Sequence, residues 1–378
     1  MNTVSDFIPV NQPLLDGNEK KYLAECIDSG WVSAEGPFVK RFEAAFAARL
    51  GCRHGIAVTN GTAALDAAVE ALGIGSGDEV ILPSFTIISS VLQILRTGAT
   101  PVLIDSDPLT WNMDVSQIEA RITPRTRAIM VVHIYGLPVD MNPVLHLCQR
   151  HNLMLIEDAA EMIGQTYRSK PCGSFGNIST VSFYPNKHIT TGEGGMILTD
   201  DDNLAAQCRE LRNLCFKPGK RFIHERLGWN LRMTNLQAAV GLAQLERLDE
   251  FLQKKRYIGR LYNELFADLA GIQLPLPASN YAENIYWVYG LVLDESLGDA
   301  KTVMDQLTKA GIATRPFFYP MHQQPVLQER GLALEEECPV AERLCQQGFY
   351  LPSGLALTES QIHRVAKMVK QVLNETQD

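Results

Sequence analysis

The sequence of 378 residues lacks features that mark several large classes of protein. It has no run of about 18 uncharged apolar residues, so no segment is expected to span a membrane. The opening stretch MNTVSDFIPVNQPLLDGNEK has neither a basic start nor a long apolar run, so we expect no signal peptide. The eight cysteines form no C-x-x-C pair, which argues against a zinc site or a disulfide framework and predicts reduced thiols in the cytoplasm.

Basic side chains are also fewer than acidic ones. The chain carries 34 basic and 43 acidic side chains, a net charge of −9, which argues against nucleic acid as the main partner. A local site for a small anion is still compatible with that balance. Hydrophobic content of 46% and charged content of 20% are typical of a globular protein, and the length suggests two domains or one large α/β domain with an appendage.

From about residue 55 to residue 200, short β-branched runs alternate with amphipathic segments. The runs are GIAVT, EVILP, TPVLID, RAIMVVH, LMLIED, STVSF and GMILTD, and the segments between them include residues 63–72, 115–122 and 143–151. This alternation predicts an α/β protein whose central sheet is mostly parallel and flanked by helices.

Helical spacing also occurs outside this region, at residues 16–30 and 36–50 and as one long pattern over residues 234–269. Strand-like residues 286–293 and 312–318, with a helical pattern at 301–310 between them, predict a smaller α+β domain at the C-terminus. We therefore expect a large domain over residues 1–250, the N-terminal segment included, and a small domain over residues 251–378.

Several predicted strands end in side chains that bind anions or react, and such ends gather at one edge of a parallel sheet. Gly61 and Thr62 follow the first run, where the start of a helix makes either an anion site or a simple helix cap. Asp158 ends a buried run and either caps the next helix or pairs with a buried cation.

Two further strand ends complete the pattern. Ser182 ends the run STVSF and Lys187 follows five residues later, while Phe85 follows EVILP and offers a ring face to a flat ligand. Taken singly these signals are weak, since Lys187 also fits a solvated surface charge and Thr62 or Asp158 a simple helix cap. Together they supply a phosphate cup, a stacking face, a carboxylate for a pyridine nitrogen and an amine for a Schiff base, which predicts a pyridoxal phosphate site.

Over nearly its whole length the chain resembles the DegT/StrS-type family of sugar-nucleotide aminotransferases, pyridoxal phosphate enzymes of fold type I. The resemblance is carried by NGTAAL, GDEVILPSFT, IEDAAEMIG, SFYPNKHITTGEGGMILTDD and GWNLRMTNLQAAVGLAQLERLD, among other stretches. It implies the PLP-dependent transferase fold, pyridoxal 5'-phosphate as cofactor, and a nucleotide sugar and L-glutamate as substrates. It also implies a homodimer with shared active sites, and together with the composition we expect a cytoplasmic protein with no metal, nucleic acid or membrane partner.

The resemblance implies a role for each matching residue. Lys187 matches the lysine that holds the cofactor and moves the proton, and Asp158 the partner of the pyridine nitrogen. The remaining cofactor contacts concern the phosphate (Gly61, Thr62, Ala63, Ser182), the stacking face (Phe85), the phenolic oxygen (Glu161) and the neighbouring subunit's phosphate (Asn230). Substrate contacts are expected at Ser33, Arg232, Arg315, Tyr319 and His322, with Arg232 either anchoring the donor's carboxylate or forming an ion pair at a surface or interface.

Two stretches bear on the reaction. RPFFYPMH resembles the branch that aminates GDP-4-keto-6-deoxymannose at C4, whereas Tyr184-Pro185 resembles the 4-keto-6-deoxymannose 3-dehydratases, which carry histidine at the lysine position. Because Lys187 is present here and His188 follows it, we expect transamination. The alternatives are amination of a dTDP- or UDP-linked sugar at C3 or C4, a pyridoxal phosphate dehydratase, and a regulator or scaffold that has kept the fold.

Overall fold

The structure is a computed structural model that describes residues 7–217, 219, 222–332 and 337–375. Its first nine strands are β1 (His54–Val58), β2 (Glu79–Pro83), β3 (Thr100–Ile104), β4 (Thr126–Val132), β5 (Met154–Asp158), β6 (Thr166–Tyr167), β7 (Lys170–Pro171), β8 (Ile178–Ser182) and β9 (Gly195–Thr199). Seven of them form one sheet in the order β1-β9-β8-β5-β4-β2-β3. Only β9 runs against its neighbours, so the carboxyl ends of the other six strands meet at one edge.

Helices cover both faces of this sheet because its strands are apolar on both sides. In β4, Ile129 and Val131 pack into one core cluster and Met130 packs into the other. The helices of this part are α1 (Glu19–Ser29), α2 (Pro37–Leu50), α3 (Gly61–Ala71), α4 (Ser89–Arg96), α5 (Met141–His151), α6 (Asp202–Leu211) and α7 (Asn235–Leu245). The expected α/β architecture with a mostly parallel central sheet is confirmed.

A second, antiparallel sheet lies in the C-terminal part, in the order β10-β11-β13-β12. The helices and strands of the C-terminal part are α8 (Leu248–Leu265), β10 (Ile272–Gln273), β11 (Tyr289–Leu293), α9 (Ala300–Lys309), β12 (Arg315–Pro316), α10 (Pro325–Gln328), α11 (Pro339–Gln347), β13 (Gly348–Leu351) and α12 (Glu359–Glu375). Near the N-terminus, Ile8 forms a β-bridge with Ile312, and the carbonyl of Val10 accepts the N–H of Ser353. The domain boundary at residue 250 stays a prediction.

All seven predicted runs of the large sheet are strands, but three other predictions were wrong. Residues 115–122 form two short 3-10 helices instead of one amphipathic helix. The pattern over residues 234–269 is two helices, broken at Arg247, whose φ of −112° and ψ of 10° leave the helical region. Its guanidinium is held there by Asp16 and Glu250. The predicted strand at 312–318 is reduced to two residues.

In the described part of the chain, no helix combines the length and the apolar character that crossing a membrane requires.

Candidate active site

A cavity of about 740 Å³ opens where the carboxyl ends of the large sheet meet the C-terminal part. The carboxyl ends of β1, β2, β5 and β8 and the segments that follow them supply most of its wall, including Thr62, Asp158 and Lys187. Trp287 and Tyr350 close it from the C-terminal part. The topology thus brings together strand ends that are far apart in the sequence.

The start of α3 forms one end of this cavity. Asn60 caps the helix, since its Oδ1 accepts the N–H of Ala63 at 2.8 Å. The N–H groups of Gly61 and Thr62 precede the first intrahelical hydrogen bond. The N–H of Ala63 is already used by the cap, so at this predicted phosphate position it is not an additional donor. A helix start of this kind suits an anion.

Side chains complete this anion-binding end. The hydroxyl of Thr62 lies 2.7 Å from that of Ser89, and both residues line the cavity, as does Ser182. A Cβ at Gly61 would come within 2.8 Å of the Ser182 Cβ, so only glycine fits at this approach. Ser89 was missed from the sequence, although it stands in the stretch SFTIISS that drew attention to Phe85.

Asp158 ends β5 in the floor of the cavity and is 4% exposed. Its Oδ1 accepts the N–H of Ala160 at 3.0 Å. Burial raises the pKa of Asp158, although this hydrogen bond and the charge of Lys187 act in the opposite direction. A cation placed beside this carboxylate would stabilise its ionised form, which burial disfavours.

Glu157, the residue before Asp158, anchors the end of β5 through several buried hydrogen bonds. Its carboxylate accepts the N–H groups of Gly173 and Phe175 and the hydroxyl of Ser179. It also pairs with the buried His133 ring at 3.1 Å. With Cys172 these two side chains have the spacing of a metal site, but the carboxylate oxygens are already engaged by protein donors. The network is therefore structural.

Lys187 and Glu161 lie beside each other in the cavity wall, with 3.7 Å between Nζ and Oε1. Burial lowers the pKa of Lys187, against the opposing charges of Glu161 and Asp158. Burial also raises the pKa of Glu161 to about 7. The other oxygen of Glu161 accepts the N–H of Tyr135 at 2.8 Å, which fixes the carboxyl. An amine whose charged form is disfavoured in this way is suited to act as nucleophile and base.

The structure contradicts the prediction that Phe85 offers its ring to the cavity. Phe85 is 0% exposed and its ring packs against those of Tyr135, Phe317 and Phe318 at 5.8–6.0 Å. It directly continues the fully buried strand β2, which carries its side chain into the core. Ile87, two residues later and 47% exposed, lines the cavity in its place.

Of the described residues that line the cavity, none is among the five predicted substrate contacts. His322 is buried, with Nδ1 2.8 Å from the Ser84 hydroxyl and Nε2 3.0 Å from Glu342, so it joins the C-terminal part to the loop after β2. Arg232 is hydrogen-bonded to Asn213. These contacts hold both side chains within the protein scaffold.

The other predicted contacts stand on the surface. Ser33 is exposed in the loop after α1, and Tyr319 is 48% exposed. Arg315 is exposed and pairs across β12 and β13 with Tyr350, a cavity residue. Asn230 is also exposed and lies outside this chain's own cavity.

The DegT/DnrJ/EryC1/StrS aminotransferase family matches residues 13–370. GDP-perosamine synthase of Caulobacter vibrioides is 46% identical over 367 residues, covering 97% of this chain and 98% of that protein. GDP-perosamine synthase of Escherichia coli O157:H7 is 41% identical over 369 residues, covering 98% and 99%. The crystal structure of the aminotransferase TlmJ from Streptoalloteichus hindustanus aligns with a TM-score of 0.91 at 31% identity, covering 97% and 99%.

Proposed function

Because the chain belongs to the DegT/DnrJ/EryC1/StrS aminotransferase family and is a pyridoxal-phosphate-dependent sugar aminotransferase, we propose that it converts GDP-4-keto-6-deoxymannose to GDP-perosamine with L-glutamate as amino donor. Identity of 41–46% to GDP-perosamine synthases over nearly the whole chain supports this substrate. The observation that carries the proposal is the buried amine of Lys187, which shares one cavity with Asp158 and the start of α3.

The residues present fit pyridoxal 5'-phosphate, the cofactor of the family. Thr62, Ser182 and the first N–H groups of α3 would hold the phosphate, in the space that Gly61 leaves open. Asp158 would pair with the pyridine nitrogen, and the Lys187 amine would hold the cofactor covalently. When bound, the cofactor withdraws electrons from the carbon that carries the amino group.

Lys187 would move the proton. Burial favours its neutral amine, the form that takes a proton from the donor's α-carbon and returns one to the sugar's C4 in the second half of the reaction. Glu161 stands beside it, and its pKa of about 7 keeps a proton available at neutral pH. The aromatic wall of Trp287, Phe318 and Tyr350 would exclude bulk water from this transfer.

Product analysis tests the substrate. The purified protein is incubated with L-glutamate and GDP-, dTDP- and UDP-linked keto sugars, and products are identified by mass and by the position of the new amine. We expect amination of the GDP-linked sugar at C4, with one keto acid released per amine formed. Preference for a dTDP- or UDP-linked sugar would contradict the proposed substrate, while the assignment to the family would stand.

A dehydratase is the second candidate, because the pair Tyr184-Pro185 precedes Lys187 in the sequence and Tyr184 lines the cavity. The two functions differ in the sugar product. A transaminase yields an amino sugar, whereas a dehydratase yields a deoxy sugar that carries no new amine. The mass of the sugar product and the presence of a new amine therefore decide between them.

The proposal includes a cytoplasmic homodimer in which Asn230 completes the neighbour's phosphate site. Asn230 is exposed outside its own cavity, and Ile223 and Leu227 nearby in the chain are 62% and 92% exposed, which supports the proposal of a partner surface in this region. The eight cysteines all lie in described residues and no disulfide joins them, which fits a reducing compartment.

Substitution of Asn230 tests the shared site. Asn230→Ala should weaken cofactor retention by about 1.5–3 kcal/mol, the effect of one hydrogen bond to a charged oxygen, without unfolding the chain. Asn203→Ala, at an exposed position on α6, is the matched control and should retain the cofactor normally. A fully active monomer in sedimentation would contradict the dimer.

A further inference from the structure

Trp287 stands directly against the amine of Lys187. Nζ lies 3.7 Å from the centroid of the indole ring. The same indole donates its Nε1–H to the carbonyl of Asn186, the residue before Lys187, at 2.9 Å. Trp287 is 4% exposed and lines the cavity. One side chain thus touches both the reactive nitrogen and the backbone that carries it.

Trp287 is itself fixed in place. Its carbonyl accepts a hydrogen bond from the buried amine of Lys255 at 2.7 Å, and the same amine donates to the carbonyl of Ser353 at 2.6 Å. The indole packs beside the ring of Tyr135, 5.8 Å between centroids. These contacts tie the backbone of Trp287 to α8 and its indole to Tyr135, so the indole does not simply follow the loop that it touches.

The loop before Lys187 has a second external support. The side chain of Asn11 donates to the carbonyl of Pro185 at 2.8 Å. Two successive carbonyls, those of Pro185 and Asn186, are therefore held from outside the loop, and Trp287 is the one donor of the pair that also contacts the amine.

We propose that Trp287 is a positioning residue for Lys187, whose indole face stabilises the ammonium form of the amine and whose N–H fixes the loop that presents it. The face of an indole carries negative potential, and a buried cation over it is stabilised by about 2 kcal/mol. The indole N–H cannot accept a hydrogen bond, so its bond to the carbonyl of Asn186 also fixes the orientation of the ring.

Other groups around the amine act on the same equilibrium and define what Trp287 adds. Glu161 and Asp158 favour the charged amine, whereas burial disfavours it. Burial lowers the pKa of His188 far below its usual value, so this neighbour stays neutral. Burial also raises the pKa of Tyr350 to about 12, so its hydroxyl stays uncharged near neutral pH. The indole face adds an attraction of a different kind, because it acts without carrying a charge.

The inference rests on the proposed role of Lys187, but its test uses the full chain without cofactor. Lys187 is labelled with acetic anhydride at a series of pH values, and the modified peptide is quantified by mass spectrometry. Trp287→Leu keeps the site apolar but removes the ring, so the pKa of Lys187 should fall by about one pH unit. Trp287→Phe keeps a ring, so in this variant the pKa of Lys187 should fall by less than half as much. Phe318→Leu, which removes another ring from the cavity wall, is the matched control and should not lower the pKa.

A second readout concerns the N–H. In the loaded enzyme, Trp287→Phe should release the cofactor roughly fivefold faster, the effect of about one hydrogen bond, followed as loss of its visible absorbance. The proposal is overturned if the pKa of Lys187 in folded Trp287→Leu stays at its wild-type value or rises, or if Phe318→Leu lowers it equally. It is also overturned if Trp287→Phe releases cofactor at the wild-type rate. If borohydride reduction attaches the cofactor to another lysine, the proposed function is wrong. The effect of Trp287 on the pKa of Lys187 can still be measured by labelling in that case, so the two failures are distinguishable.

Discussion

The amine nitrogen of Lys187 lies 3.7 Å from Oε1 of Glu161. Burial acts on the two groups in opposite directions, lowering the pKa of Lys187 and raising that of Glu161 to about 7. Each charged form is in turn favoured by the charge of its partner. The protonation of the amine is therefore coupled to that of Glu161, whose own pKa lies close to neutral pH.

Lys187→Ala should leave the fold nearly intact and abolish turnover, because it removes both the covalent attachment and the proton carrier. Loss of proton transfer alone costs about 10²–10⁴-fold in rate. Lys187→Arg should fail as well, since a guanidinium stays protonated and cannot act as the base. Turnover assays with circular dichroism as the folding control measure both. Near-normal turnover in Lys187→Ala, or borohydride reduction that attaches the cofactor to another lysine, would show that the site is misassigned.

Glu161→Gln should change how stability depends on pH. Burial raises the pKa of Glu161 from 4.5 to about 7, so its stabilising contribution is complete below pH 4.5 and is lost as the pH rises through 7. The glutamine variant should therefore gain stability relative to wild type over this window, on the order of 3 kcal/mol. Urea unfolding of the cofactor-free chain measures it, with Glu193→Gln, an exposed cavity position, as the control. A pH-independent difference would contradict the raised pKa.

Asp158→Asn should separate cofactor binding from folding. The asparagine keeps the shape but loses the charge that pairs with a cationic nitrogen, so cofactor affinity should fall by about 1.5–3 kcal/mol. Burial raises the pKa of Asp158, which means that its ionised form destabilises the fold at neutral pH. The cofactor-free variant should therefore be at least as stable as wild type in thermal unfolding. Unchanged cofactor affinity would remove Asp158 from the site.

The large sheet was predictable because each of its strands is a short, nearly continuous apolar run, with helical segments between most of them. The break between α7 and α8 was not predictable, because no proline or glycine marks it. It depends on the contacts of Arg247 with Asp16 and Glu250, and Asp16 is distant in sequence. A helical periodicity continues across such a break, so local pattern alone predicts one helix.

The anion-binding end, Asp158 and Lys187 were predictable because strand ends in a parallel sheet converge. The direction of a side chain after a strand end was not. Phe85 enters the core and Ile87 reaches the cavity, a choice set by packing against Phe317 and Phe318 from the distant C-terminal part. Trp287 was missed for the same reason, since it stands 101 positions after Asn186, the loop residue whose carbonyl it binds.

Lys255 gives a pH test of the anchor behind the cavity. Burial lowers the pKa of its amine from 10.5 to about 7. Between these values the folded chain binds fewer protons at this site than the unfolded chain, so the free energy of unfolding should rise with pH across that window. Lys255→Met lacks this rise and also leaves the carbonyls of Trp287 and Ser353 without their donor, which adds a pH-independent cost of about 1–3 kcal/mol for each.

The stability difference between wild type and Lys255→Met should therefore increase from pH 7 to pH 10, by a few kcal/mol. Taking the difference at each pH cancels the titration of the tyrosines and cysteines that the two chains share. Lys309→Met, an exposed lysine at the end of α9, is the control and should give a difference that does not change with pH. A constant difference for Lys255→Met as well would mean that its amine keeps its charge in the core throughout this range, with the carbonyls of Trp287 and Ser353 compensating the cost of burial.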